Sequence, residues 1–122
     1  MYFSSIGALF LAIGVALGAF GAHGLRDRLT SDLLAIFETG ARYQLIHGLA
    51  LLFLGSQAGS PARPGLALGG WLLVAGTIVF SGSLYALALS GVRLWGAVTP
   101  VGGVCFLAGW LMLARAFWPA RR

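Results

Sequence analysis

Four apolar stretches, at about residues 3–21, 42–56, 66–89 and 98–117, leave this chain few ways to fold. A run of roughly 20 apolar residues is what a helix needs to cross the hydrocarbon core of a bilayer. The first stretch, Phe3 to Gly21, is about that long and has no charged side chain. The second is shorter and opens on Arg42, but an amphipathic segment leads into it. There Thr30 or Ser31 can cap a helix, and Asp32 in its first turn complements the helix dipole. Leu33, Leu34, Ile36 and Phe37 give that segment an apolar side. It is expected to lie at the membrane interface and to run on into the second span, with a bend near Gly40.

Turn signals separate the remaining spans. Gly59-Ser60-Pro61 and Pro64-Gly65 divide the second from the third, and Ser90-Gly91-Val92-Arg93 closes the third. Thr99-Pro100 reads as a helix start, with the hydroxyl as cap and the proline in the first turn. The expected fold is all-α. Residues 1–122 form a single transmembrane domain, an integral membrane four-helix bundle with an amphipathic interfacial helical segment before the second span.

Charge content agrees. Only 9% of the residues are charged, against about 25% in soluble domains. All 8 basic residues are arginines, and the net charge is +5. They stand singly or in pairs, with no basic face to track a phosphate backbone, so nucleic acid is excluded as a partner. The lone cysteine, Cys105, sits inside an apolar run and behaves as a small hydrophobe. A cleaved signal peptide competes for the first stretch, because Ala19-Phe20-Gly21 resembles a small-residue cleavage site. No basic residue precedes it and three more spans follow, which favours a retained helix.

Glycines mark the faces for close packing. Gly7, Leu11, Gly14, Gly18 and Gly21 fall on one stripe of the first span, and Gly102-Gly103 lie in the fourth. In lipid, small residues let helices approach closely. These faces are expected to meet neighbouring helices, a second copy, or a partner in a membrane complex.

Polar residues in the spans are few and grouped. Tyr43, Gln44 and His47 share a sector of about 100° on the second span. Glu38 and Arg42 form an i,i+4 pair, acid first, on nearly the opposite side. Ser81, Ser83 and Tyr85 end the third span. By depth, His47 lies about 7 Å inside the second span and Ser81–Tyr85 roughly 8–13 Å inside the third, both from one face. His23 and Thr99 lie near that face. The expectation is a shallow polar pocket of Tyr43, Gln44, His47, Ser81, Ser83, Tyr85, His23 and Thr99, opening towards loops one and three. Apolar packing closes it below.

Four crossings place both termini on one side with the Arg63 loop. Arg63, Arg115, Arg121 and Arg122 then oppose Arg26, Arg28, Arg42 and Arg93, a raw tie. If Arg42 is partly inside the membrane, the balance tilts towards cytoplasmic termini. Tyr2, Trp71 and Trp118 would ring the terminal face and Trp95 the loop face, while Trp110 is too deep for such a belt.

Several blocks together resemble one family. They are Gly18-Ala19-Phe20-Gly21-Ala22-His23, Thr39 through His47, Phe80-Ser81-Gly82-Ser83-Leu84-Tyr85, Arg93-Leu94-Trp95, and Thr99-Pro100-Val101-Gly102-Gly103. They look like the YgdD-like family of small multipass membrane proteins. The resemblance covers nearly the whole chain. It implies a bacterial inner-membrane protein with cytoplasmic termini and supplies no catalytic role.

Three activities compete with a structural reading. Haem or metal binding would rest on His23 and His47 alone, without further donors. Catalysis lacks an assembled acid, base and nucleophile, since Asp27, Asp32 and Glu38 all lie in or beside loop one. Transport of a small solute or of protons, with His47 as carrier, needs a polar route that the apolar lower half does not offer in one copy. The expectation is a non-catalytic accessory or assembly protein with a one-sided polar pocket. No cofactor or metal is expected, and the lipid bilayer is its constant partner.

Overall fold

A computed structural model of the chain describes residues 2–119; Arg121 and Arg122, used in the arginine count, lie outside the described residues. Four helices follow one another: α1 (Phe3–His23), α2 (Ser31–Ser56), α3 (Leu66–Ser90) and α4 (Trp95–Phe117). Three of them, α1, α3 and α4, are long and apolar enough to cross a membrane. The fourth, α2, has the length but carries Asp32, Glu38, Arg42, Gln44 and His47. Gln44 and His47 are buried inside the bundle, while Asp32, Glu38 and Arg42 stay exposed towards its N-terminal end, so composition alone understates its place there. The result is an all-α membrane bundle.

Local chemistry sets the limits of each helix. Thr30 caps α2, its Oγ1 accepting from the Leu33 N–H at 3.3 Å, with Asp32 in the first turn. The interfacial segment and the second span are a single helix of 26 residues. Gly40 lies within it, buried, where an added Cβ would come 2.9 Å from the Tyr85 ring. Its small size serves close packing between helices, and the helix runs through it unbroken. α3 ends on Gly91 at φ 71°, whose N–H donates to the Leu87 carbonyl at 2.8 Å, the left-handed stop that suits glycine.

One boundary differs from expectation. α4 starts at Trp95, so Pro100 lies inside it and Thr99 is not its cap. The chain enters through short turns, with the Gly96 N–H donating to Arg93 O and the Ala97 N–H to Leu94 O, both at 3.0 Å. The backbone N–H that Pro100 lacks would have met the carbonyl of Gly96.

Sequential helices pack side by side: α1 on α2, α2 on α3, and α3 on α4. The terminal end holds the larger apolar core, with Phe3, Leu51, Leu54, Leu66, Leu73, Phe106 and Leu113 buried together. A smaller cluster of Leu25, Phe37 and Ala88 plugs the loop end.

Glycine dictates the two outer pairings. At Gly7 an added Cβ would lie 2.6 Å from the Gly48 carbonyl oxygen and from Leu52 N, both backbone atoms. Gly14 meets Leu45 and Gly21 meets Phe37 further along the same seam. Between α3 and α4, Gly69 and Gly109 face each other's carbonyls, and a Cβ at Gly102 would sit 2.5 Å from Phe80 N. Two positions depart from the expected stripes. A Cβ at Gly18 or Gly103 meets nothing within 4 Å. In the register set by Gly14–Leu45 and Gly21–Phe37, Gly18 stands level with Ala41, whose side chain stops at Cβ.

Candidate functional site

The polar residues of α2 and α3 form chains of hydrogen bonds between helices. Gln44 is buried at the centre of the first chain. Its Nε2 donates to the Phe10 carbonyl of α1 at 2.9 Å, and its Oε1 accepts from the Tyr85 hydroxyl of α3 at 2.8 Å. One amide thus joins three helices. One turn of α2 nearer the loop face, the Ser81 hydroxyl donates to the Gly40 carbonyl at 2.7 Å. That bond requires the α2 backbone to come close, which the missing side chain of Gly40 permits.

A second group links α3 to α4. Ser83 Oγ and Thr99 Oγ1 lie 2.6 Å apart. With one proton on each hydroxyl, either Ser83 donates to Phe80 O at 2.9 Å while Thr99 donates to Ser83, or Thr99 donates to Trp95 O at 3.3 Å while Ser83 donates to Thr99. Thr77 is buried and donates to the Leu73 carbonyl within its own helix.

The third group surrounds His47, which is only 3% exposed. The Trp110 indole N–H donates to His47 Nε2 at 3.0 Å. Indole nitrogen is a donor only, so Nε2 must be the bare nitrogen. The ring proton therefore sits on Nδ1, which donates to the Tyr43 carbonyl at 2.7 Å. Phe106 stacks on the imidazole with ring centres 3.6 Å apart and planes at 7°. Both ring nitrogens are engaged, which leaves none for a metal ion or an incoming acid.

These groups do not form one pocket. Gly40 pairs with Ser81, and His47 lies about 10 Å further along α2 at 1.5 Å per residue. His47 is thus deeper than the serines, beside Phe106 and Trp110. His23 is exposed at the end of α1, level with the first turns of α2, and about 18 Å along the helix from His47. The two histidines are not brought together. No group of three or more potential metal ligands gathers among the described residues.

Glu38 and Arg42 are both exposed on α2, and no ion pair joins them. Two long side chains in water or among headgroups gain little from pairing. Tyr43 is 38% exposed and packs on Phe80, with ring centres 4.7 Å apart.

Trp110, too deep for an interfacial belt and so expected to pack inside, is instead 42% exposed on α4, with its indole N–H turned in to His47. The signal was available: an indole N–H at membrane depth needs an acceptor, and the bare nitrogen of His47 is one. Phe10 contributes only a backbone carbonyl, which no side-chain pattern announces. No buried side-chain nitrogen or oxygen among the described residues lacks a hydrogen-bond partner.

Comparison with known proteins adds the family. A model described as "Protein of unknown function (DUF423)" matches residues 17–103. A UPF0382 membrane protein of Staphylococcus epidermidis (strain ATCC 12228 / FDA PCI 1200) is 48% identical over 114 residues, covering 93% of each chain. The UPF0382 membrane protein SSP2132 of Staphylococcus saprophyticus is 48% identical over 111 residues, 91% of this chain and 92% of the relative. The UPF0382 membrane protein YwdK of Bacillus subtilis (strain 168) is 39% identical over 115 residues, 93% of this chain and 94% of the relative. No solved structure matches the chain. With its helices long and apolar enough to cross a membrane and relatives that align along almost their whole length, this multi-pass bacterial inner-membrane protein belongs to the DUF423 (UPF0382) family.

Proposed function

We propose that the protein is a non-catalytic accessory or assembly protein of the bacterial inner membrane. Its termini lie in the cytoplasm, and it acts by presenting a rigid helical surface to a partner or a second copy. The observation that carries this reading is the use made of Gln44, His47, Ser81, Ser83, Tyr85 and Thr99. Each is engaged inside the bundle, joining helices to one another. Side chains so engaged fix helix register, because an unmade bond at that depth costs more than a made one gains. A transporter or proton carrier keeps such groups available to its cargo, whereas His47 has both nitrogens occupied.

Purification in mild detergent tests the proposal. A partner in fixed stoichiometry, or a defined homo-oligomer, is the expected result. A lone monomer, together with solute or proton flux in liposomes that disappears in His47→Ala, would replace it with the transport reading. Fusion of a reporter to the C-terminus tests orientation: cytoplasmic activity is expected, and export would reverse it.

A further inference from the structure

α2 and α4 flank α3 and meet where Phe106 and Trp110 close on His47; on the loop side of that contact the gap between them is a furrow with α3 as its floor. Two cavities follow one another along it, and a third lies beyond the contact. At the loop face, one of about 520 Å³ is bounded by Asp32, Leu33, Arg93 and Gly96. The middle one, about 580 Å³, is bounded by Tyr43, Pro100, Gly103 and Trp110. Trp110 also borders the third, about 270 Å³, at the terminal end. The furrow changes character along its length. Its mouth carries a carboxylate and a guanidinium, both exposed and not paired with each other, whereas the walls beyond are apolar and aromatic.

We infer that the furrow is a binding site for one phospholipid whose headgroup carries both a phosphate and a primary amine. Arg93 meets the phosphate, Asp32 the ammonium, and the acyl chains lie against Pro100, Gly103 and Leu107. Charge complementarity selects this occupant. An opposite pair left unpaired in one cleft matches a zwitterion, and a guanidinium suits phosphate in particular. Depth fits as well. Arg93 to Gly103 spans about 15 Å of helix, half of a hydrocarbon core roughly 30 Å thick. A lipid of the loop-side leaflet would therefore reach the open space at Gly103, where an added side chain meets nothing.

Native mass spectrometry of the full chain from detergent tests this, with dioleoyl phosphatidylethanolamine and dioleoyl phosphatidylglycerol as probes. One phosphatidylethanolamine should survive delipidating washes, held about tenfold more tightly than phosphatidylglycerol, a difference of about 1.4 kcal/mol. Gly103→Trp, which fills the furrow, and Arg93→Gln should each reduce retention about tenfold. Asp32→Asn should remove the preference for the amine. Gly82→Trp is the control, since Gly82 is exposed with open space around it and does not border the furrow. Equal retention of the two lipids would overturn the headgroup assignment. Unchanged retention in Gly103→Trp, or a change there in oligomeric state alone, would overturn the site. The readout is lipid mass, so it fails or succeeds independently of partner capture.

Discussion

The outer seams of the bundle and its central seam are built on different physics. Along α1–α2 and α3–α4, glycines bring backbone against backbone, and apart from one side-chain hydrogen bond in each, Gln44 to Phe10 O and Ser83 with Thr99, the contact is van der Waals. Between α2 and α3, Gly40–Ser81 and Gln44–Tyr85 hold the helices by hydrogen bonds. Lipid is as apolar as leucine, so burying more leucine gains little, and what remains is close approach and polar bonding. The contrast teaches that the two seams should fail differently. A glycine seam fails by collision, abruptly, wherever a backbone atom stands in the way. A bonded seam fails in steps of one hydrogen bond.

The largest effect is expected at the outer seams. In Gly7→Ala and Gly102→Ala the new methyl meets backbone atoms that cannot rotate away. Each should lower stability by about 3 kcal/mol, the upper part of the overpacking range, measured by unfolding in mixed detergent. A neutral result at both would remove the glycine argument.

Gln44→Leu comes next. It deprives the Phe10 carbonyl and the Tyr85 hydroxyl of their partner at once. A loss of about 1–2 kcal/mol is expected in the same assay, since transmembrane hydrogen bonds are individually weak. Ser81→Ala removes a single bond to Gly40 and should cost about 0.6 kcal/mol. A loss there as large as at Gly7 would mean that the two seams do not differ.

The smallest effect belongs to Gly18→Ala. Nothing stands within 4 Å of the new methyl, and alanine favours the helix over glycine by about 0.5–1 kcal/mol. Stability should stay level or rise slightly. A marked loss would place Gly18 in a contact that the bundle does not contain.

These positions also show what the sequence could disclose. Charge-free runs gave α1 and α3 to within two residues at either end, because lipid tolerates little else. The start of α2 was legible from Thr30, Ser31 and Asp32, but Gly40 looked like a bend. What it meets is Tyr85, forty-five residues on, and no local pattern records that. Gly7, Gly14, Gly18 and Gly21 share one stripe, yet Gly18 is the exception, since the residue opposite decides whether a glycine is in contact. The polar residues were all visible as a set. Their partners were not: a backbone carbonyl on α1, another on α2 and an indole on α4 took up the groups that had suggested one pocket.

A double-mutant cycle with Gln44→Leu and Tyr85→Phe tests most directly whether the polar side chains serve to tie helices together. The account predicts a favourable coupling of about 1 kcal/mol between the two sites in a folded, detergent-solubilised protein. Losses that simply add, to within about 0.3 kcal/mol, would mean that the amide and the phenol do not hold each other, and the central seam would need another explanation.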